Sequence, residues 1–277
     1  MDLGSLEEAI GRPFRDVRVG YRGARLTVTM ARPDRRNSLT PGTLRELGAA
    51  LDLAERTEDC RMVVLEGSDG YFCTGMDLAD AARSGREDGA GPDLRAGAEA
   101  YFRLLDRLTR LGRMVVSHVD GQVVGGGVGL VAASDLVYAT ERSRFSLPEA
   151  LWGLLPCSVL PFLIRRTGFQ PAYTMALSTL PVTARQAAEC RLADEVLDDP
   201  GDVLRRLQFR ASRVDPATVA ALKDYARRLR TGAEDTERLA VDEFVALMSD
   251  PRVRQRIGGF VAGPGAPPAS PPRATGA

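Results

Sequence analysis

A run of glycines in the middle of the chain constrains its fold more than any other feature. Residues 121–130 read Gly-Gln-Val-Val-Gly-Gly-Gly-Val-Gly-Leu, with apolar residues on both sides. The pattern predicts a buried strand at 114–119, a glycine turn, and a helix at 126–133. Glycines at such a turn let an oxygen anion approach backbone N–H groups at the positive end of a helix. A glycine triplet alone is also compatible with an ordinary tight turn, so other segments must decide its role.

The rest of the first 150 residues is expected to alternate between strands and helices. In chain order, the apolar spacing predicts strands at 17–21 and 26–30, a helix starting at Thr40-Pro41, a strand at 62–65, a helix at about 94–111, and a strand at 136–138. Repeated strand, strand, helix units of this kind are typical of an α/β spiral built from ββα turns.

The chain becomes mostly helical after residue 149. Short helices are predicted at 159–167, 172–178 and 184–190, and longer ones at 202–214, 216–230 and 234–248. The final stretch is rich in proline, glycine and alanine and is expected to be disordered. We therefore predict a spiral core at 14–200, a helical subdomain at 201–261, and a disordered tail at 262–277.

Charge and cysteine content exclude several classes of function. Lysine plus arginine and aspartate plus glutamate both total 37, which argues against a nucleic-acid or anionic-membrane partner. The chain has no apolar run of membrane-spanning length, and its first residues lack the apolar core of a signal peptide. Four cysteines without a C-x-x-C pair and a single histidine argue against a metal site or disulfide framework. A cytoplasmic protein without a metal is expected.

Two further segments give the glycine turn a specific meaning. Gly-Tyr-Phe-Cys-Thr-Gly-Met-Asp-Leu at 70–78 lies about 50 residues before it, and Phe-Ser-Leu-Pro-Glu at 145–149 lies about 20 residues after it. In this order and spacing, the three segments resemble the crotonase (enoyl-CoA hydratase) superfamily, and the resemblance covers about 17–260. It implies a crotonase spiral core followed by a helical subdomain, in a chain that assembles as a trimer or a hexamer.

The resemblance also implies an oxyanion hole for a thioester carbonyl. In the family, two backbone N–H groups hold this oxygen, and they correspond here to Met76 and Gly126. Such donors stabilise the enolate that forms when the α-carbon loses a proton. The neighbouring residues Cys73, Gly125 and Gly127 are then expected to border the bound thioester.

One of the two glutamates of the family's hydratases is absent. The first would stand three residues after the middle glycine of the triplet, where this chain has Gly129, and the second corresponds to Glu149. A single carboxylate can still move a proton at C2, but fatty-acid hydration with two carboxylates is not expected. Apolar neighbours such as Leu147 and Trp152 would border the substrate and raise the pKa of Glu149.

Several other polar residues are weaker candidates. Asp77 and Asp80 follow the first oxyanion segment and are secondary catalytic candidates, although an aspartate at 77 is more often a helix cap. His118 lies inside an apolar strand and is predicted to be a core residue. Cys73 has no cation or histidine near it in sequence, which argues against a nucleophilic role.

The segment around Glu149 is unlike that of a fatty-acid hydratase and resembles the polyketide-synthase-associated dehydratase group. That resemblance implies removal of water from a 3-hydroxy-3-methylglutaryl thioester on an acyl carrier protein, giving a 3-methylglutaconyl thioester. No cofactor is implied beyond the phosphopantetheine that carries the substrate. Cation candidates are Arg83, Arg86 and Arg103 for the distal carboxylate of the substrate, and Arg83, Arg86, Arg252, Arg254 and Arg256 for docking of the carrier.

Alternative functions stay open at this point. Another crotonase-type hydratase or a double-bond isomerase could also work with one carboxylate, and a non-catalytic crotonase-like scaffold is a third hypothesis. The sequence leaves open carrier protein against CoA, and trimer against hexamer. Apolar stripes on the last three predicted helices favour a homo-oligomer.

Overall fold

The computed structural model describes residues 14–77, 90–229 and 236–262, and within them the chain forms ten strands arranged in two sheets. The strands are β1 (Val17–Arg22), β2 (Arg25–Met30), β3 (Met62–Glu66), β4 (Tyr71–Cys73), β5 (Met114–Val119), β6 (Gln122–Val124), β7 (Leu136–Ala139), β8 (Arg144–Ser146), β9 (Val182–Thr183) and β10 (Glu195–Val196). The strands predicted at 17–21, 26–30, 62–65, 114–119 and 136–138 are all confirmed. The short strands of the second sheet carry too little periodicity to be predicted.

The larger sheet has the order β1-β2-β3-β5-β7-β10. Its first pair is an antiparallel hairpin that turns at Gly23, and all the following pairs are parallel. Residues 62–65 are buried without interruption because β3 is covered on both faces. The apolar runs at 62–65 and 114–119 therefore lie side by side in the centre of this sheet.

The smaller sheet has the order β4-β6-β8-β9. At each turn of the spiral, the chain adds one strand to the large sheet and then one strand to the small sheet. Each of the strands β3, β5 and β7 of the large sheet is followed directly by β4, β6 or β8 of the small one. A helix then follows β4 and β6, and a short 3-10 helix follows β8. This repetition confirms the α/β ββα spiral, and it brings the ends of β4, β6 and β8 together at one edge.

Ten α-helices complete the described chain. They are α1 (Pro41–Arg56), α2 (Ala90–Arg110), α3 (Gly126–Ala133), α4 (Leu160–Thr167), α5 (Phe169–Ser178), α6 (Ala184–Glu189), α7 (Gly201–Ala211), α8 (Pro216–Arg228), α9 (Thr236–Ser249) and α10 (Pro251–Val261). Thr40 caps α1 with its side chain, as its position before Pro41 predicts. All the predicted helices form, with ends that shift by a few residues.

The last helix, α10, is an element that the sequence analysis did not predict. Its signal is present, since Pro251 occupies the first turn and the Asp250 carboxylate accepts a hydrogen bond from the Arg252 N–H at 2.7 Å. Val253 and Ile257 of this helix are buried in one cluster with Leu154. The sequence analysis placed this stretch inside the helical subdomain at 201–261 without assigning it a helix of its own.

The C-terminal helices pack directly on the spiral. Helix α9 lies along α2, and Ala240 of α9 belongs to the main core. Lys223 of α8 is partly buried, forms an ion pair with Asp135 at 2.6 Å, and donates to the carbonyl of Arg113 at 3.0 Å. The proposed boundary at residue 200 thus separates two parts of the chain that share packing, and the proposed tail lies outside the described residues except for Ala262. No helix among the described residues is long and apolar enough to cross a membrane.

Candidate active site

A cavity of about 260 Å³ lies where the glycine turn, the 3-10 helix Glu149–Trp152, helix α2 and helix α9 meet. Its inner side includes Gly125, Gly126 and Glu149, and its outer side includes Leu154 and Phe244. The three segments singled out in the sequence therefore converge on one pocket. Most of the remaining wall is apolar.

The glycine turn and the segment that follows β4 touch through their backbones. Gly75 has a φ of +74° and Gly125 a φ of +54°, a conformation that side chains disfavour. A methyl group on Gly75 would lie 2.6 Å from the Gly126 nitrogen, so only glycine permits this approach. Gly126 itself is the first residue of α3, whose N-terminus therefore borders the pocket.

Met76 is held in an extended strand-like bridge to Leu39. The Leu39 N–H donates to the Gly75 carbonyl at 2.7 Å, and the Asp77 N–H donates to the Leu39 carbonyl at 3.0 Å. Because successive N–H groups point to opposite sides of an extended segment, the Met76 N–H points away from Leu39. Met76 and Gly126 both line the cavity, with Gly75 beside them. The two residues expected to donate to the thioester oxygen are therefore neighbours on the cavity wall.

Glu149 is a carboxyl group of the inner wall, and it forms no ion pair with any of the described residues. It opens the 3-10 helix directly after Pro148, and a methyl group on Gly125 would lie 3.2 Å from its Oε1. Its Oε2 is buried and has no hydrogen-bond partner in the described part of the chain. Burial raises the pKa of Glu149 to about 7, against the lowering effect of its own backbone N–H. The carboxyl is therefore able to exchange a proton near neutral pH.

The two aspartates have different outcomes. Asp77 lines the cavity, but its carboxylate accepts a hydrogen bond from Ser38 at 3.0 Å and lies 3.8 Å from the Arg32 guanidinium. Because the Asp77 carboxylate already has these two partners, it fits a structural role better than that of a catalytic base. The frequent use of aspartate as a helix cap at this position suggests the same. Asp80 lies outside the described residues.

The residues expected to border the thioester divide into two groups. Gly125 and Trp152 line the cavity. Cys73, Gly127 and Leu147 are buried behind the wall, where a methyl group on Gly127 would lie 2.2 Å from the Cys73 carbonyl oxygen. Burial also raises the pKa of the Cys73 thiol to about 12, so this group stays protonated. These three residues support the turn and do not face the described cavity.

The sequence analysis missed Tyr101, the polar side chain that α2 brings to the inner wall. Its hydroxyl donates a hydrogen bond to the Gly126 carbonyl at 2.5 Å. Burial raises its pKa well above the ordinary value, with smaller contributions from Cys73 and the Glu149 charge. Tyr101 sits within an amphipathic helix, where an aromatic residue gives no signal other than packing. The available clue in the sequence was Gly129, whose missing side chain leaves space for a side chain from another element.

Of the cations expected for the distal carboxylate, Arg103 is described, and it does not line this cavity. No lysine, arginine or histidine is found among the described lining residues. Arg103 is largely exposed and pairs with Glu237 at 3.0 Å and Glu99 at 3.2 Å. Arg83 and Arg86 lie outside the described residues. His118 is partly exposed, lies 3.7 Å from Glu66 in the large sheet, and does not line the cavity.

Comparison with known proteins settles the family. The model of the enoyl-CoA hydratase/isomerase family matches residues 22–256. The chain belongs to this family. Its crotonase fold and the three converging segments are what the sequence resemblance predicted.

Family members with different activities align over most of the chain. The Bacillus subtilis bacillaene synthase dehydratase PksH is 30% identical over 244 residues, covering 88% of this chain and 93% of PksH. The Escherichia coli 1,2-epoxyphenylacetyl-CoA isomerase is 29% identical and aligns with 76% of this chain and 82% of its own length. The crystal structure of PksH superposes with a TM-score of 0.83 at 29% identity, covering 91% of this chain and 99% of that one.

The Mycobacterium avium enoyl-CoA hydratase gives a lower structural agreement. Its TM-score is 0.77 at 27% identity, over 89% of this chain and 96% of that chain. Within the enoyl-CoA hydratase/isomerase family, the site of the present chain departs from the two-carboxylate arrangement at Gly129. Its chemistry must therefore be argued from Glu149 and its surroundings.

Proposed function

We propose that this chain is a dehydratase that removes water from a 3-hydroxyacyl thioester. The observation that supports this proposal most strongly is the state of Glu149. Its carboxyl is desolvated, has one oxygen without a hydrogen-bond partner among the described residues and a pKa of about 7, and lies beside the glycine turn. A group of this kind can take a proton from carbon and return it to oxygen at neutral pH. The Met76 and Gly126 N–H groups would hold the thioester oxygen.

The reaction proceeds without any other charged group of the described wall. Glu149 takes the C2 proton while the electron pair of the C2–H bond moves onto the carbonyl oxygen as an enolate. The enolate collapses to a C2–C3 double bond as the C3–O bond breaks. Glu149 returns its proton to the departing oxygen, which leaves as water. The two backbone donors act mainly on the enolate, so they lower the barrier more than they tighten binding.

The proposed substrate is a 3-hydroxy-3-methylglutaryl thioester on an acyl carrier protein, with a 3-methylglutaconyl thioester as product. Support comes from the similarity to PksH over nearly the whole chain, since PksH is named as a dehydratase of bacillaene synthase. Support also comes from the missing carboxylate at Gly129. A tertiary C3 stabilises the positive charge that develops as hydroxide leaves, which reduces the demand on a second acid.

A second candidate is a hydratase or double-bond isomerase acting on an apolar acyl thioester. The favouring observation is the absence of any cation among the described lining residues, since a glutaryl carboxylate needs a cation or several donors. The relative named 1,2-epoxyphenylacetyl-CoA isomerase has an aromatic acyl substrate by its name. Arg83 and Arg86 stay candidates for the distal carboxylate under the first proposal.

A non-catalytic scaffold fits the site less well. Holding Glu149 where its carboxylate is desolvated costs free energy at neutral pH, on the order of 3 kcal/mol for a shift of this size. A binding scaffold gains nothing from that cost. A catalyst gains a base whose pKa matches its working pH.

The decisive experiment offers the purified protein 3-hydroxy-3-methylglutaryl, 3-hydroxybutyryl and 3-enoyl thioesters in parallel. Formation of the conjugated thioester absorbance from the first substrate, at least tenfold faster than from the others, is the expected result. The rate should rise about tenfold per pH unit below pH 7 and level off above it, because only the ionised Glu149 accepts the C2 proton. Faster conversion of the 3-enoyl thioester would favour the isomerase, and tight binding without turnover would favour the scaffold.

The carrier is proposed to be a protein. Helix α10 packs against the 3-10 helix that starts with Glu149, and it exposes Arg252, Arg254 and Arg256 next to the pocket wall. A methyl group on Gly153 would lie 2.8 Å from the Arg256 guanidinium, so this arginine covers the end of that helix. Acyl carrier proteins are acidic, and a basic surface here would steer one to the pocket.

Turnover with two carriers tests this docking surface. The carrier-protein thioester should react faster than the CoA ester at matched low concentration in the wild type. Exchange of Arg254 for glutamate should lower kcat/KM for the carrier substrate about tenfold and leave the CoA ester nearly unchanged. Arg210→Glu, an exposed arginine on α7, serves as the control. Equal losses with both substrates would count against carrier docking at α10.

A homo-oligomer, a trimer or hexamer, is also proposed. The exposed apolar side chains form a row on α5, in which Phe169 and Tyr173 stack at 5.6 Å and Leu177 follows one turn later. Leu222 on α8 and Leu229, which directly follows this helix, are exposed as well. Light scattering at micromolar concentration should give three or six times the chain mass, and a Tyr173→Glu, Leu177→Glu variant should be smaller. A wild-type monomer would refute the proposal.

A further inference from the structure

The space that a side chain at residue 129 would occupy is already filled by Tyr101. A methyl group on Gly129 would lie 2.1 Å from the Tyr101 hydroxyl oxygen and 3.0 Å from a methyl of Leu105. No side chain fits at residue 129 unless Tyr101 moves. The absence of a carboxylate at residue 129 and the presence of the Tyr101 phenol are therefore linked. Helix α2 supplies an oxygen atom at the place where α3 has no side chain.

The hydrogen bonding of Tyr101 limits what its oxygen can do. A phenol has one proton and two acceptor lone pairs. The proton is committed to the Gly126 carbonyl at 2.5 Å, so the lone pairs are what the hydroxyl presents to the pocket that Tyr101 lines. The group is neutral at physiological pH because burial and the nearby Glu149 charge oppose ionisation. It can accept a hydrogen bond without acting as a base.

The Tyr101 oxygen and the Glu149 carboxyl flank the same turn. A methyl group on Gly126 would lie 3.2 Å from the Tyr101 oxygen, and one on the preceding Gly125 would lie 3.2 Å from Glu149 Oε1. The Gly126 N–H, which is the proposed donor to the thioester oxygen, is part of this turn. A thioester held there would have its C2 and C3 atoms next to the turn that these two side chains flank.

We infer that the Tyr101 hydroxyl accepts a hydrogen bond from the C3 hydroxyl of the substrate and aims that oxygen at Glu149. This inference rests on the proposed dehydration. With the O–H of the substrate directed to Tyr101, a lone pair of the C3 oxygen is free to take the proton that Glu149 has removed from C2. The C3–O bond then breaks and water leaves, while Tyr101 keeps its own proton throughout. A single carboxyl thereby serves both ends of the elimination.

Binding measurements test the inference apart from turnover. The measurements use pantetheine thioesters and the Glu149→Gln variant, which is expected not to turn them over. One pair compares the affinity of 3-hydroxy-3-methylglutarate with that of 3-methylglutarate. The other pair compares each enantiomer of 3-hydroxybutyrate with butyrate. We expect the hydroxylated member of at least one pair to bind about tenfold tighter. Adding Tyr101→Phe, which removes only the oxygen, should abolish that preference and leave the affinity of the deoxy member within threefold. Tyr225→Phe, an exposed phenol on α8, is the matched control.

Turnover supplies the second readout. In the wild-type background, Tyr101→Phe should lower kcat for dehydration by about ten- to a hundredfold, while C2 hydrogen exchange of the deoxy thioester stays within threefold. A hydroxyl preference that is absent, or that survives in Tyr101→Phe, would overturn the inference. Equal loss of exchange and dehydration would also overturn it, since a packing role predicts that result. A wild type that dehydrates neither 3-hydroxyacyl thioester would refute the proposed function, and the binding preference would still decide the role of Tyr101.

Discussion

The two sides of the acyl pocket are built on different principles. The inner side consists of glycine backbone flanked by the polar side chains of Glu149 and Tyr101, and a methyl group on Gly75 would already lie 2.6 Å from the Gly126 nitrogen. The outer side consists of apolar side chains from separate segments of the chain, such as Leu154 and the partly exposed Phe244. Backbone packing of the first kind allows no adjustment, whereas side-chain walls can repack. The inner side therefore sets the reaction, and the outer side is free to set the acyl group.

The largest effect is expected from Glu149→Gln on the inner side. The amide keeps the shape of the side chain but cannot take the C2 proton, so kcat should fall by about a hundred- to ten-thousand-fold. Thioester affinity should stay within a few-fold, because the oxyanion donors belong to the backbone. Steady-state kinetics and isothermal titration measure the two quantities, with the exposed Glu189→Gln as control. C2 deuterium exchange at the wild-type rate in Glu149→Gln would move the base elsewhere, with Asp77 or Asp80 next.

Gly126→Ala should affect binding and rate together. The added methyl would lie 3.2 Å from the Tyr101 oxygen, 3.3 Å from a methyl of Leu39 and 3.4 Å from the Gly75 Cα, which narrows the oxygen pocket. Loss of one oxyanion donor costs about a hundred- to a thousandfold in kcat. We expect a loss of that order in kcat/KM, measured with the best thioester substrate. Gly48→Ala on α1, where a methyl meets nothing within 4 Å, should leave kcat/KM unchanged. Unaltered activity in Gly126→Ala would place the oxyanion site elsewhere.

The inner side should also be a source of instability above neutral pH. Because the pKa of Glu149 rises from 4.5 to about 7 on folding, the folded state binds the proton more tightly than the unfolded state. The free energy of unfolding then falls as pH rises from about 4.5 to 7, by roughly 3 kcal/mol, and stays low above pH 7. Glu149→Gln removes this penalty. Thermal unfolding should give a higher Tm for the variant than for wild type at pH 8, and a much smaller difference at pH 5. A variant less stable than wild type at pH 8 would contradict the assigned burial.

The same comparison explains what the sequence could predict. Strand–turn–helix geometry around Gly125 follows from local spacing, and the buried strands follow from continuous apolar runs at 62–65 and 114–119. The convergence of Met76, Gly126 and Glu149 could be expected because three segments resemble one family in order and spacing.

The rest of the site depends on contacts between distant segments. Tyr101 reaches residue 129 only because α2 crosses α3, and an amphipathic helix carries no mark of that crossing. Phe244 enters the wall because α9 packs along α2. Asp77 has partners in Ser38 and Arg32, which lie about 40 residues earlier in the chain. Burial behind the wall, as for Cys73 and Leu147, is likewise a property of the assembled layers.

The smallest effect is expected on the outer side, from Phe244→Ala. Phe244 lines the cavity and packs with Leu154, so truncation enlarges the acyl end of the pocket without touching the glycine turn. KM for the best substrate should rise about three- to tenfold, kcat should change less than threefold, and thioesters with a longer acyl chain should gain relative kcat/KM. Some stability is lost with the ring, about 1 to 3 kcal/mol because the residue is only partly buried. Leu239→Ala, exposed on the same helix, should change none of these kinetic quantities. A fall in kcat of more than tenfold in Phe244→Ala would mean that this wall positions the reacting atoms, and the division between the two sides would fail.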